Sequence, residues 1–312
     1  MDYTGVHANI DLKHYREMAS AAPGVLTTAE APFGYRLLPP WLAGVAGKGL
    51  EDELRGFRMV ASLCILFAAM MMYVYLIRKG VREATALTMS CLAIISQHVL
   101  GGVVFNPFQI GDALAIGLIL VMLMCVERGN IMGFMAASIA GAVTREPCLI
   151  MLPVALTFVF TRNQLVADIP NTVKPTAAFS RTQWFVACVP AVVAVVAARL
   201  LVSATNVDWS LGAMVVENSY KFADAETWLR LVLFTAAPIS LIPLVFFSHT
   251  GTVLRANAHL VVLLVGVVGS SFLGADTERL VAPAMVVYYL ITARVLDERS
   301  SRTVNYWLIP AA

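Results

Sequence analysis

Three side chains near the start of the chain have the types and spacing needed for acid–base chemistry. Asp11, His14 and Tyr15 stand at i, i+3 and i+4, so on a helix they share one face. A carboxylate in such a group could act as a general base or as a metal ligand. The same spacing also fits a helix N-cap or a helix lying on a membrane surface, and spacing alone leaves these interpretations open.

A stiff segment with a central arginine follows. The residues from Ala31 to Trp41 include three prolines, and Phe33 and Tyr35 stand just before Arg36. Prolines restrict the backbone, and a guanidinium group held in place is well suited to bidentate recognition of a phosphate. A belt of aromatic and basic residues next to a membrane has a similar composition. Arg36 is therefore a candidate phosphate-binding residue.

More charged residues stand at the ends of apolar stretches. A single charge in such a place is most often a solvated anchor, but several on the same side of a membrane favour a site. These residues are Asp112, Arg145, Glu146, Asp276, Glu278 and Arg279.

The composition indicates which class of protein must position these charged groups. Hydrophobic residues make up 59% of the chain and charged residues 13%, which lies outside the range of soluble globular domains. We expect an all-α integral membrane protein. The net charge of +2 is too small to suggest nucleic-acid binding, and the five cysteines lack the paired spacing of zinc sites.

Hydropathy predicts a bundle of about nine membrane segments. Residues 1–56 are expected to form an extracytoplasmic segment with amphipathic helices, and residues 57–312 to form the multi-span bundle. Four segments look short, re-entrant or shallow. The clear spans are Met59–Ile77, Ala84–Phe105, Phe185–Val202, Trp228–Phe247 and Ala258–Leu273, and the short ones are Ala113–Val126, Ile131–Val143, Pro147–Phe160 and Leu280–Ala293.

The distribution of basic residues predicts the orientation of these nine crossings. Cytoplasmic loops are rich in Lys and Arg, and an external N-terminal segment with a cytoplasmic C-terminus satisfies this rule. Fusing Ile131 to Phe160 into one kinked span would place the basic 162–181 loop outside, against the rule. In the nine-crossing arrangement the candidate site residues share the outer side.

The order of these motifs resembles that of bacterial GT-C-type membrane glycosyltransferases. The resemblance extends over most of the chain, although each motif is short. The matching residues are Asp11, Tyr15 and Ala19; Pro32, Phe33, Arg36, Leu38 and Pro39; Asp112; Arg145 and Glu146; and Asp276, Arg279 and Pro283.

The resemblance implies an inverting transferase in the bacterial cytoplasmic membrane that uses a polyprenyl-phosphate sugar on the extracytoplasmic side. Asp11 would take the position of the catalytic carboxylate. Arg36, Arg145 and Arg279 would hold the donor phosphate. Other residues would bind the substrate or act as auxiliary acids, for example by assisting a divalent cation, and the sequence does not choose among these roles. These residues are Asp112, Glu146, Asp276, Tyr15 and His14.

The resemblance also implies a membrane span before the loop that carries the catalytic Asp. Only ten residues precede Asp11, so we expect either that the start has been trimmed or misassigned, or that this is a reduced form whose first helix is lost or supplied by a partner membrane protein. Two other classes of function stay open. A non-catalytic membrane subunit or assembly factor of the same ancestry would not need Asp11 to face a pocket, and a lipid or small-molecule transporter would have polar residues along a midplane path.

Overall fold

The described residues of this computed structural model form a helical bundle with one short pair of β-strands. They comprise residues 6–96, 100–165, 181–205, 211–234, 236–272 and 277–308. The helices are α1 (Val6–Ser20), α2 (Leu38–Gly49), α3 (Glu53–Arg78), α4 (Glu83–Ile95), α5 (Gly102–Phe105), α6 (Ile110–Arg128), α7 (Ile131–Ala142), α8 (Met151–Leu165), α9 (Arg181–Leu201), α10 (Leu211–Asn218), α11 (Ala225–Phe234), α12 (Ile242–Val245), α13 (Phe247–Ala256), α14 (Ala258–Ser271), α15 (Thr277–Val281) and α16 (Met285–Leu308); the strands are β1 (Thr28–Ala29) and β2 (Ser203–Ala204).

Four helical segments among the described residues are long and apolar enough to cross a membrane. A fifth is obtained if α13 and α14, which meet at a bend of 108°, count as one broken span. The four segments are Glu53–Arg78, Pro107–Arg128, Arg181–Leu201 and Arg279–Arg299. A helical membrane protein is therefore supported, while the count of nine segments stays a prediction.

Two segments that were predicted to be short are in fact long. The stretches Ala113–Val126 and Leu280–Ala293 lie within the helical segments Pro107–Arg128 and Arg279–Arg299, of 22 and 21 residues. Hydropathy ended the first stretch at Asp112, whose charge is paired inside the bundle. A paired charge does not end a helix, so the prediction of short length was wrong for both segments.

Two segments that were predicted to be single spans are interrupted. Within Ala84–Phe105, helix α4 ends at Ile95 and α5 contains only four residues. Within Trp228–Phe247, α11 ends at Phe234, and residues 236–241 form turns before α12. Pro238 and Pro243 lie in this region, where each removes a backbone donor that a continuous helix would need.

Helix α6 forms the centre of the bundle. Most of its residues between Ile110 and Val126 are buried, and it packs against α3, α7 and α8. Asp112 lies in its first turn and Glu127 in its last. At 1.5 Å per residue, these two acidic positions are about 22 Å apart along the axis. The helix therefore presents one carboxylate at each end of the bundle.

Small residues allow α1, α2 and α3 to pack closely. A Cβ atom on Gly56 of α3 would lie 2.5 Å from the carbonyl oxygen of Ala43 in α2. A Cβ atom on Gly44 of α2 would overlap the carbonyl oxygen of Ala19 in α1. These glycines fix the position of α1, which carries Tyr15, against the bundle.

The replacement Gly44→Ala is expected to lower the free energy of unfolding by about 1–3 kcal/mol, because the added methyl group must push α1 away from α2. Gly49→Ala is a matched control, since a Cβ atom there meets nothing within 4 Å. Thermal unfolding of the detergent-solubilised protein measures both. Equal stability of the two variants would contradict the close contact between α1 and α2.

The β-strand pair holds the segment before Arg36. β1 and β2 are parallel, with Thr28 opposite Ser203 and Ala29 opposite Ala204. A Cβ atom on Gly34 would lie 2.8 Å from that of Ala29, so this part of the loop is also tightly packed. The loop that leads to Arg36 is thereby attached to the end of α9.

Candidate functional site

Five charged side chains from four separate parts of the chain meet at one end of the bundle. We call them the arginine cluster: Arg36, Asp112, Arg145, Glu146 and Arg279. The structure thus brings together all three of the arginines predicted to bind phosphate, together with two of the predicted acids. Tyr15 also contacts the cluster.

Asp112 is the buried centre of the cluster. Its side chain is 7% exposed and forms ion pairs with both Arg145 and Arg279. The Nε atom of Arg279 donates to Oδ2 of Asp112 over 3.0 Å. Arg145 has an extended backbone just before the 3-10 turn Glu146–Ile150, and its side chain is 5% exposed. Asp112 thus connects the start of α6 with two other segments.

Arg36 is the second centre of the cluster. Its side chain is 14% exposed, and its Nη2 atom lies 3.1 Å from Oε2 of Glu146. Its Nη1 atom donates to the hydroxyl oxygen of Tyr15 over 3.3 Å. Tyr15 is buried on α1, so Arg36 connects the N-terminal helix with the turn that begins at Glu146.

The pKa values of these groups report both burial and charge pairing. Burial opposes the charged form of Arg36, but Glu146 and Tyr15 outweigh it, so the pKa of Arg36 is raised. Partial removal of Glu146 from water by the surrounding protein opposes its ionisation, but the charge of Arg36 outweighs this effect and the pKa of Glu146 is lowered. Burial, then the charges of Arg279 and Arg36, lower the pKa of Arg145. Arg36 and Glu146 thus favour each other's charged form, while neighbouring cations oppose the charge on Arg145.

Positive charge exceeds negative charge in the arginine cluster. It contains three guanidinium groups and two carboxylates, Asp112 and Glu146. The Nε atom of Arg145 is buried and has no hydrogen-bond partner within the described part of the chain. A buried donor without a partner is costly, and an anion that accepted its hydrogen bond would also balance the charge. The arrangement is suited to binding an anion such as phosphate.

His14 lies beside the cluster rather than in it. Its ring stacks on Phe33 with centroids 4.9 Å apart, and Nε2 is 3.2 Å from a carboxylate oxygen of Glu30. Tyr15 meets the edge of the same Phe33 ring at 5.7 Å. The predicted shared face of His14 and Tyr15 is thus a contact surface for the loop that carries Arg36.

Two predicted site residues cannot be placed. Position 11 lies within α1, but the side chain of Asp11 is outside the described part of the protein, as is the whole of Asp276. Within the described residues, no group of three or more His, Cys, Asp or Glu side chains is arranged to hold a metal ion.

An apolar cavity of about 210 Å³ is lined by residues that stand close in sequence to two members of the arginine cluster. The sequence analysis did not identify it. Leu37 and Leu38 line the cavity and directly follow Arg36, while Val143 lies two residues before Arg145. The apolar residues Leu37 and Leu38 after Arg36 were the only sign of this cavity in the sequence. That they line a cavity together with residues from other segments is visible only in the folded structure. The other lining residues are Met18, Gly24, Val25, Leu26 and Trp41.

A second polar group lies at the opposite end of α6 and was also not predicted as a unit. Glu127 is 2.6 Å from Nζ of Lys79 and 3.1 Å from Nε2 of His259. Lys79 also donates to the side-chain oxygen of Asn257 over 3.4 Å. Asn257 and His259 flank the bend between α13 and α14, so this group fastens the bend to α3 and α6.

Neither a protein-family model, a curated protein nor a solved structure matches this chain. The evidence for its function therefore comes from its motifs and from the geometry of the arginine cluster and the cavity.

Proposed function

We propose that the chain is a membrane glycosyltransferase of the GT-C type, which transfers a sugar from a polyprenyl-phosphate donor to an acceptor with inversion. The observation that carries this proposal is a cationic cluster whose members Arg36 and Arg145 stand within two residues, along the chain, of the walls of an apolar cavity. A lipid phosphate has an anionic headgroup joined to a hydrocarbon chain, and these two parts fit the two parts of the site.

The proposed reaction uses the residues in distinct roles. Asp11 accepts the proton of the acceptor hydroxyl as its oxygen bonds to the anomeric carbon of the donor sugar. The bond between that carbon and the phosphate oxygen breaks, and the electron pair leaves with the lipid phosphate. Arg36, Arg145 and Arg279 then balance the negative charge that develops on this phosphate.

The proposal includes an arrangement in the membrane. The arginine cluster faces the extracytoplasmic side of the bacterial cytoplasmic membrane, about nine segments cross or enter the bilayer, and the C-terminus is cytoplasmic. The excess of Lys and Arg in the loops on the other side supports this orientation.

One observation favours a second candidate, a non-catalytic membrane subunit of the same ancestry. Asp112 and Glu146 are both bound by arginines, and such a network could also serve only to hold helices together. The two candidates differ in turnover, since only the transferase converts a lipid-linked sugar.

Transfer of radiolabelled sugar from polyprenyl-phosphate donors, measured in membranes that contain the chain, tests the proposal. The variant Arg36→Gln is expected to lower transfer by about tenfold to a hundredfold, because it loses charged hydrogen bonds to the donor phosphate. Arg16→Gln is the matched control, since Arg16 is 58% exposed and pairs with Glu53. Transfer should be unchanged in this control.

Two results would contradict the transferase. One is the absence of transfer by the wild-type chain across a panel of lipid-linked sugars, which would favour the non-catalytic subunit. The other is equal transfer by the wild-type chain and Arg36→Gln, which would remove Arg36 from phosphate binding.

A further inference from the structure

The two carboxylates of the arginine cluster differ in how firmly they are held. Asp112 is 7% exposed and is bound by two arginines, Arg145 and Arg279. Glu146 is 46% exposed, and its only ion-pair partner among the described residues is Arg36. Water can therefore reach Glu146, and one arginine contact must break to release it. Asp112 is a fixed part of the site, whereas Glu146 can leave.

Glu146 occupies the edge of Arg36 that a phosphate would use. The Nε atom of Arg36 lies 3.2 Å from each carboxylate oxygen of Glu146, and the Nη2 atom lies 3.1 Å from Oε2. This is the paired donor edge through which a guanidinium group binds carboxylates and phosphates. A phosphate and Glu146 cannot both occupy this edge.

Tyr15 keeps Arg36 in position when Glu146 departs. The Tyr15 hydroxyl oxygen accepts a hydrogen bond from Nη1 of Arg36, which lies away from the edge used by Glu146. The guanidinium group also lies 5.8 Å from the centre of the Phe33 ring. Neither contact involves Glu146, so the arginine stays oriented toward the site.

We propose that Glu146 is an internal competing anion, which occupies the phosphate-binding edge of Arg36 in the empty protein and is displaced by the substrate headgroup. The identity of the headgroup as a lipid phosphate rests on the proposed function; the competition itself rests on the geometry of Arg36. Glu146 then sets the affinity of the site for anions, in contrast to an acid that contacts the sugar.

The test is isothermal titration of the purified protein in detergent micelles with three probes. They are farnesyl phosphate, inorganic phosphate and uncharged farnesol. Glu146→Gln is expected to bind farnesyl phosphate about tenfold more tightly than the wild type, because the anion no longer displaces a charged hydrogen-bonded partner. Binding of farnesol should be the same in both proteins.

Control variants separate competition from a general change in charge or fold. Glu53→Gln removes a carboxylate that pairs with Arg16 on another part of the surface. The affinity of this variant for farnesyl phosphate should equal that of the wild type. Tyr15→Phe removes a neutral partner of Arg36 and should not tighten binding. If Glu146→Gln does not fold, Glu146→Asp retains the charge but reaches less far, and should tighten binding by a smaller factor.

The outcomes distinguish this inference from the proposed function. Equal or weaker binding of farnesyl phosphate by Glu146→Gln would overturn the competition, while wild-type binding of the lipid phosphate would leave the proposed function standing. An equal gain for inorganic phosphate, with no advantage from the farnesyl chain, would support the competition and contradict a lipid substrate. Failure of both proteins to bind either phosphate would overturn both.

Discussion

Replacement of Asp112 by Asn is expected to lower the free energy of unfolding by about 3–5 kcal/mol, because it leaves buried arginines without their carboxylate. Asp112 is 7% exposed and pairs with Arg145 and Arg279. Asparagine has nearly the same shape, so the loss would come from charge and hydrogen bonding rather than from a cavity. Thermal unfolding and monodispersity in detergent measure the effect.

The matched control for Asp112→Asn is Glu226→Gln. Glu226 pairs with Arg230 one helical turn along α11, and its side chain is 67% exposed. Exposed pairs of this kind contribute about 0.5 kcal/mol, so the control should be close to the wild type. A loss in Asp112→Asn as small as that of the control would show that the buried charges of the arginine cluster do not depend on Asp112.

If the proposed mechanism holds, replacement of Asp11 by Asn lowers sugar transfer by about 10²–10⁴-fold, since an amide cannot take the proton of the acceptor hydroxyl. The measurement is transfer of radiolabelled sugar from polyprenyl-phosphate donors. Stability should change little, so a fall in turnover at unchanged expression would identify a catalytic role.

Glu17→Gln controls for the loss of a carboxylate from the same helix. Glu17 is exposed on α1 and is not among the candidate site residues, so transfer should be unaffected. Full turnover by Asp11→Asn would remove Asp11 from the role of base, and the proposed mechanism would then need a different carboxylate as its base.

The sequence predicted which charged residues would gather, but not how they would pair. Hydropathy and the positive-inside rule placed Arg36, Asp112, Arg145, Glu146 and Arg279 on one side, and the structure brings these residues into one cluster. The pairing depends on how α6 packs among its neighbours. An acid in the first turn of a helix can face water or an adjacent helix, and the local sequence is the same in both cases.

The lengths of the helices show a related limit of hydropathy. A hydropathy window ends at a charge, so the central helix was predicted to run only from Ala113 to Val126. In the structure it continues from Ile110 to Arg128, because Asp112 and Glu127 find partners inside the protein. The apolar cavity escaped prediction for another reason. Its walls come from α1, α2, the segment between these helices and Val143 at the end of α7, and the sequence does not show the space between them.

The spacing of the polar layers at the two ends of α6 has a consequence for the surrounding bilayer. Asp112 and Glu127 are separated by about 22 Å along the helix, whereas the hydrocarbon core of a bilayer is about 30 Å thick. The difference need not deform the bilayer, because Asp112 is paired with Arg145 and Arg279 and Glu127 with Lys79 inside the bundle. The polar layers at the two ends of α6 can therefore lie below the level of the lipid headgroups without exposing a charge to hydrocarbon.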